Sequence, residues 1–132
     1  MVIDTSIIIA ILQDEPERTR YVELIGTSQS RLVSAASVLE AGIVMEDRLG
    51  VSGAAQLDRL LHALGVEIVA FDAAQAGVAR MAFRSFGKGR HPAQLNVCDC
   101  MTYALAKVRG EPLLFKGDDF SLTDIVPADR PS

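Results

Sequence analysis

At 132 residues the chain is long enough to bury one core and too short for a catalytic domain plus a separate cap. Hydrophobic residues make up 49% and charged residues 23%, with no charge block or low-complexity tract, which excludes a disordered chain; only the tail at 127–132 reads as loose. A formal charge of −4 is poor equipment for gripping phosphate, so a nucleic-acid role requires acids gathered to hold metal, and two divalent cations would cancel the deficit.

Val2 and Ile3 read as a short buried strand ending on Asp4, after which Thr5, Ser6 and the apolar residues 7–12 pass straight into a helix. An acid at the tip of a strand faces the crevice outside the carboxyl ends of a parallel sheet, where open α/β folds place their ligands. Pro16, after Asp14 and Glu15, suits the first position of a second helix, and Gly26 its end. Leu32 and Val33 form a second apolar run. The helix from about Ala36 to Leu49 gathers Val38, Ala41, Gly42, Met45 and Leu49 on one side, leaving Glu40 nearly opposite and free to line a polar cleft. Leu57, Leu60, Leu61 and Leu64 give an apolar stripe at helical spacing, closed by Gly65.

Residues 66–71 supply a third run. Asp72 with Gln75 resembles a capping box opening a helix that carries Val78, Met81 and Ala82 and stops at Gly87. From residue 80 to residue 91 stand the cations Arg80, Arg84, Lys88 and Arg90, and no acid. A helix beginning near Asn96 has Val97, Met101, Ala104, Leu105 and Val108 on one face, with Asp99 in its first turn pointing away from the core. Leu113, Leu114 and Phe115 make a fourth run, followed by Asp118 and Asp119, and Ile125 with Val126 makes a fifth. Apolar runs alternating with helices predict the α/β class, with a central parallel sheet of four to five strands and crossover helices, in one domain over 1–132.

No apolar stretch approaches the roughly 20 residues that cross a bilayer, and Asp4 argues against a signal peptide, so the cytosol is the expected compartment. Cys98 and Cys100 are too close in sequence for an ordinary disulfide, and no second Cys or His group completes a zinc site. Both are expected to be reduced packing residues.

In a doubly wound fold, Asp4 and the Asp118/Asp119 pair come from strand tips, while Glu40 and Asp99 come from first helical turns on the same edge of the sheet. Carboxylates without His or Cys make a hard-oxygen site suited to Mg²⁺ or Mn²⁺. A metal there polarises a phosphoryl oxygen and makes a bound water a usable nucleophile, and the chemistry that needs it is phosphodiester hydrolysis. Each acid also has a structural use. Asp4 suits a helix cap, Ser37 with Glu40 and Asn96 with Asp99 fit capping boxes, and Asp118 with Asp119 fits a solvated turn.

Taken together, Asp4-Thr5-Ser6 at the end of the first strand, Ser37-Val38-Leu39-Glu40, Asp99 between Asn96 and Cys100, and Asp118-Asp119-Phe120 resemble the PIN-domain ribonucleases. More narrowly, they resemble the VapC toxins of bacterial toxin–antitoxin pairs. The resemblance spans the full length. It implies an α/β/α sandwich and Mg²⁺-dependent endonuclease action, with Mn²⁺ able to substitute, on a tRNA or an rRNA loop. Carried over by position, Asp4 and Asp99 match the principal metal ligands, Glu40 the third acid, and Ser6 the small hydroxyl beside the metal. Asp118 is favoured as the fourth acid, with Asp119 the other candidate. The implied nucleophile is a metal-activated water oriented by Glu40, leaving 5′-phosphate and 3′-hydroxyl ends. The implied partners are a VapB-type antitoxin that places an Arg or Lys near the carboxylates, and a second copy of the chain in a homodimer or a toxin–antitoxin hetero-oligomer.

Arg84, Lys88 and Arg90, with Lys116 beside the last acidic motif, are the candidates for contact with RNA phosphates, although Arg84 and Lys88 also suit a helix C-terminus. His91 reads as a packing or capping residue of its loop. A receiver domain needs an acid after the third strand and an acidic pair after the first, which this chain lacks. A haloacid-dehalogenase-type phosphatase needs an acid where Ser6 stands. The non-enzymatic alternative keeps the acids as a catalytically silent module that sequesters a basic peptide.

Overall fold

The computed structural model describes residues 1–129. Among them the strands β1 (Val2–Ile3), β2 (Leu32–Ser34), β3 (Glu67–Val69) and β4 (Leu113–Leu114) form one parallel sheet of order β3-β2-β1-β4. Val2 pairs with Leu32 on one side and Leu113 on the other, and Val33 pairs with Ile68. The helices are α1 (Thr5–Leu12), α2 (Arg18–Thr27), α3 (Ala35–Leu49), α4 (Val51–Leu64), α5 (Ala73–Phe86) and α6 (Val97–Arg109). This is the expected α/β/α sandwich.

Strand alternation divides the core in two. Val2, Leu32 and Leu113 point to one face, where α5 and α6 cover them through Ala79, Ala82, Tyr103, Ala104 and Leu105. Their neighbours Ile3, Val33 and Leu114 point to the other face and meet Ile7, Ile8, Ile25, Ala41, Leu57 and Leu61. A sheet buried on both faces needs strands apolar at every position, which is why these runs read as continuous rather than alternating.

The chain lays β2 and then β3 to one side of β1, and β4 to the other. Strand order therefore reverses between β1 and β4. The crevice at that reversal, outside the carboxyl ends of the strands, is where a doubly wound sheet offers a ligand site. Asp4 follows β1, and the segment from Lys116 to Asp119 follows β4, held together by the Asp4 amide donating to the Leu114 carbonyl at 3.0 Å.

Some expectations need correction. Ile125 and Val126 do not form a strand among the described residues; Pro127 makes a single parallel bridge to Leu113, so the sheet edge is covered without a full fifth strand. Pro16 lies in a turn ahead of α2, whose cap is Glu17, and α2 runs through Gly26 to Thr27. Ser34, not Ser37, caps α3 by accepting from the Ala36 amide, which moves Glu40 from the first turn into the second. Ser37 is instead buried, its hydroxyl 3.2 Å from that of Thr102 on α6. The loose tail is only in part as expected. The Ala128 amide donates to Leu113 and Asp129 pairs with Arg20, while residues 130–132 lie outside the described residues.

Candidate active site

Asp4 is the N-cap of α1 and is buried. Its Oδ2 accepts from the Ser6 amide at 3.0 Å and the Ser6 hydroxyl at 2.6 Å. Ser6 Oγ in turn accepts from the Lys116 amide at 3.0 Å, so one hydroxyl ties the carboxylate after β1 to the backbone after β4. Asp99 stands in the first turn of α6 within a complete capping box. Asn96 Oδ1 accepts from the Asp99 amide at 2.8 Å, and Asp99 Oδ2 accepts from the Asn96 amide at 3.0 Å. The structural use of Asp99 is thus real, and it occupies one oxygen of the carboxylate.

The acids influence one another strongly. Burial raises the affinity of Asp4 for a proton; the Ser6 hydrogen bonds oppose this, and the charge of Glu40 adds to it. Asp99 is pushed up to about 6, chiefly by burial, against the Asn96 amide, and further by the charges of Asp4, Asp119 and Glu40. Side chains from α1, α3, α6 and the segment after β4 therefore converge on one patch of negative field.

Of the adjacent pair, it is Asp119 whose charge reaches Asp99. Both Asp118 and Asp119 are exposed, and the Asp118 backbone carbonyl accepts from Ser121 in the turn, so the fourth acid stays between the two. The convergence is also looser than a preformed chelate. Among the described residues no three or more His, Cys, Asp or Glu side chains are close enough to hold one metal ion. Oδ2 of Asp4 and Oδ2 of Asp99 are each taken by an internal donor.

Sequence reasoning missed Cys98 as a neighbour of the site. Burial, the neighbouring Glu40 carboxylate and the charges of Asp99 and Asp4 push its thiol up to about 12, so it remains a neutral thiol beside Glu40. Its position next to Asp99 in the chain was the available signal. Cys100 is a buried packing residue as expected.

The proposed phosphate contacts separate into two groups. Lys116 is occupied, its ammonium bonded to Glu15 and, at 3.1 Å, to Glu17 in the turn between α1 and α2. Two carboxylates thus compete with phosphate for the Lys116 ammonium. Arg80, Arg84 and Arg90 have no ion-pair partner among the described residues, and Lys88 is exposed on the loop after α5. His91 packs in its loop, edge-on to Phe86 at 5.1 Å, with Nδ1 accepting from the Ala93 amide.

A carboxylate-lined crevice at the switch point of a parallel α/β/α sheet defines the class of PIN domains, and the family model described as "PIN domain" matches residues 1–126. The chain is 50% identical to ribonuclease VapC30 of Mycobacterium tuberculosis over 131 residues, 99% of this chain and 100% of that one. In fold it is similar to M. tuberculosis VapC20, described as a sarcin-ricin loop cleaving toxin, with a TM-score of 0.77, 16% identity and 98% of each chain covered. It is also similar to a chain of VapBC2 from Rickettsia felis bound to a promoter DNA fragment, with a TM-score of 0.74, 17% identity and 96% and 95% covered. The chain belongs to the PIN-domain family and, within it, to the VapC ribonucleases.

Proposed function

We propose that this ribonuclease is an Mg²⁺-dependent endonuclease, with Mn²⁺ able to substitute, that cuts a tRNA or an rRNA loop and is held inactive by a VapB-type antitoxin. What supports the reading is the placement of Asp4 at the tip of β1 and of Asp99 in the first turn of α6, with Glu40 and Asp119 near enough for their charges to raise the proton affinity of Asp99. VapC20 is described as cleaving the sarcin-ricin loop, and a further chain of similar fold is described as part of a toxin–antitoxin complex from Klebsiella pneumoniae, which supports the substrate and partner classes.

The donor set fits Mg²⁺: hard oxygens, one buried and one half-buried, whose repulsion a cation would relieve. Mg²⁺ is usually held by one or two carboxylates and several waters rather than by an all-protein cage, and Asp4 with Asp99 would provide that pair. When bound, the ion supplies charge stabilisation at the phosphoryl group and a lower pKa for water. Ser6 fixes the orientation of Asp4, and Asn96 that of Asp99. Glu40, half-buried beside Cys98, orients the attacking water. Water oxygen bonds to phosphorus, the bond from phosphorus to O3′ breaks, and O3′ leaves as a hydroxyl, giving a 5′-phosphate on the downstream product.

The test is cleavage of a structured RNA by the purified chain with and without Mg²⁺. Asp4→Asn and Asp99→Asn are expected to reduce cleavage by at least about 100-fold with circular dichroism unchanged, in line with removal of a principal electrostatic contributor. Cleavage that survives both substitutions would overturn the proposal.

A further inference from the structure

The helices α5 and α6 leave an open groove of about 500 Å³, large enough for a small organic ring system. Its α5 wall is the stripe Ala76, Ala79, Arg80, Phe83 and Arg84, at the spacing that puts residues on one helix face. Val97, Cys100 and Met101 of α6 form the other wall, and Arg90 arrives from the loop between the helices. Val97 was expected in the core but is 73% exposed, and Phe83 is 40% exposed, so the chain leaves this apolar surface uncovered.

The rim is chemically one-sided. None of the residues lining the groove is acidic, while three are arginines without an ion-pair partner among the described residues. The Arg90 guanidinium already lies over the Phe83 ring, 5.2 Å from its centroid. Val97 and Cys100, which line the groove, flank Asp99 in the first turn of α6, so the groove is built on the helix that carries one of the acids. Flat apolar and cationic surface ringed by unpaired guanidinium groups matches a flat ring carried on a polyanion. Protein recognition of single-stranded RNA works in this way, stacking unpaired bases on aromatic and arginine planes.

We infer that this groove is a specificity subsite that seats an unpaired nucleobase of the RNA close to the scissile bond, stacked against Phe83 and Arg90, with Arg80 and Arg84 holding the flanking phosphates. The inference rests on the ribonuclease reading and adds where base identity is sensed. A basic antitoxin segment suited to the acidic crevice would be repelled by this rim, which favours RNA over protein as the occupant.

The test uses the full chain with Ca²⁺ in place of Mg²⁺ and single-stranded RNA oligomers carrying 2-aminopurine at successive positions. One position is expected to show strong fluorescence quenching on binding, and an abasic site there should weaken binding about tenfold. Phe83→Leu, which keeps the side chain apolar at a half-exposed position and so should fold, is expected to remove both effects; Arg90→Lys, which keeps the charge, should reproduce the loss in part. Unchanged quenching and affinity in Phe83→Leu would overturn the inference. So would groove variants that leave RNA binding intact while abolishing capture of a co-expressed antitoxin. Base-specific binding without Mg²⁺-dependent cleavage would support the subsite and sink the nuclease reading, whereas cleavage indifferent to the groove variants would do the reverse.

Discussion

Asp99 serves two ends that pull in opposite directions. As the third residue of α6 it accepts from the Asn96 amide and helps to start the helix, where a negative charge is welcome. As a member of the acid cluster it is half-buried and repelled by Asp4, Asp119 and Glu40, so its carboxyl is pushed up to about 6. Because the folded form keeps the proton to higher pH than an unfolded chain, whose Asp titrates near 3.8, folding stability is lost as pH rises through the window between those values. In EDTA, urea unfolding should therefore find Asp99→Asn and wild type about equal near pH 4. Near pH 7 the variant should be more stable by on the order of 2 kcal/mol, after allowance for solvent screening. A difference that shrinks with rising pH would refute this. Ser6→Ala removes the hydroxyl that joins Asp4 to the Lys116 amide. It should cost about 1–2 kcal/mol in stability and lower cleavage more than RNA binding, since what is lost is the aim of a carboxylate.

Elements were legible in the sequence where one local rule decided them. The helix caps Asp72 and Asn96, the stop at Gly65 and the Leu57 to Leu64 stripe were found by spacing alone, because caps and stripes depend on neighbours a few residues away. The exposed face of α6 was not legible. Val97 and Val108 repeat at core spacing, yet they are 73% and 44% exposed, while Cys100, Thr102, Tyr103 and Ala106 are buried. A helix covered on several sides by the sheet, α3 and α5 buries more than one stripe, and periodicity does not say which end is left open. Choosing between Asp118 and Asp119 likewise depends on the turn after β4, which tertiary contacts set. The α3–α4 pair shows the same dependence. Gly53 is buried in the first turn of α4, where an added Cβ would come within 2.2 Å of the Met45 carbonyl oxygen. Backbone on both sides leaves little room to give. Gly53→Ala should therefore cost about 1–3 kcal/mol and lower Tm by roughly 3–10 °C, measured by thermal unfolding, with no direct effect on the acids. An unchanged Tm would mean the helices separate at little cost.

Across the whole molecule, a net charge of −4 is divided by place rather than spread. Acids collect at the carboxyl edge of the sheet around β1 and β4, and arginines without an ion-pair partner among the described residues collect along α5 and the loop after it. RNA therefore meets a locally attractive surface on a repulsive body, and salt should act on the two in opposite senses. Contacts between arginines and phosphates release counterions, so binding weakens with salt by a slope of about −0.7 in log K against log salt for each phosphate neutralised on a single strand. Two or three such contacts give an expected slope of about −1.4 to −2, and Arg84→Gln should reduce its magnitude by about 0.7. Lys116→Gln should leave the slope unchanged, because its charge is already spent on Glu15 and Glu17. Fluorescence anisotropy over a salt series with Ca²⁺ present measures all three slopes. If Lys116→Gln flattened the slope as much as Arg84→Gln, the phosphates would have to run over the turn between α1 and α2 instead of along α5.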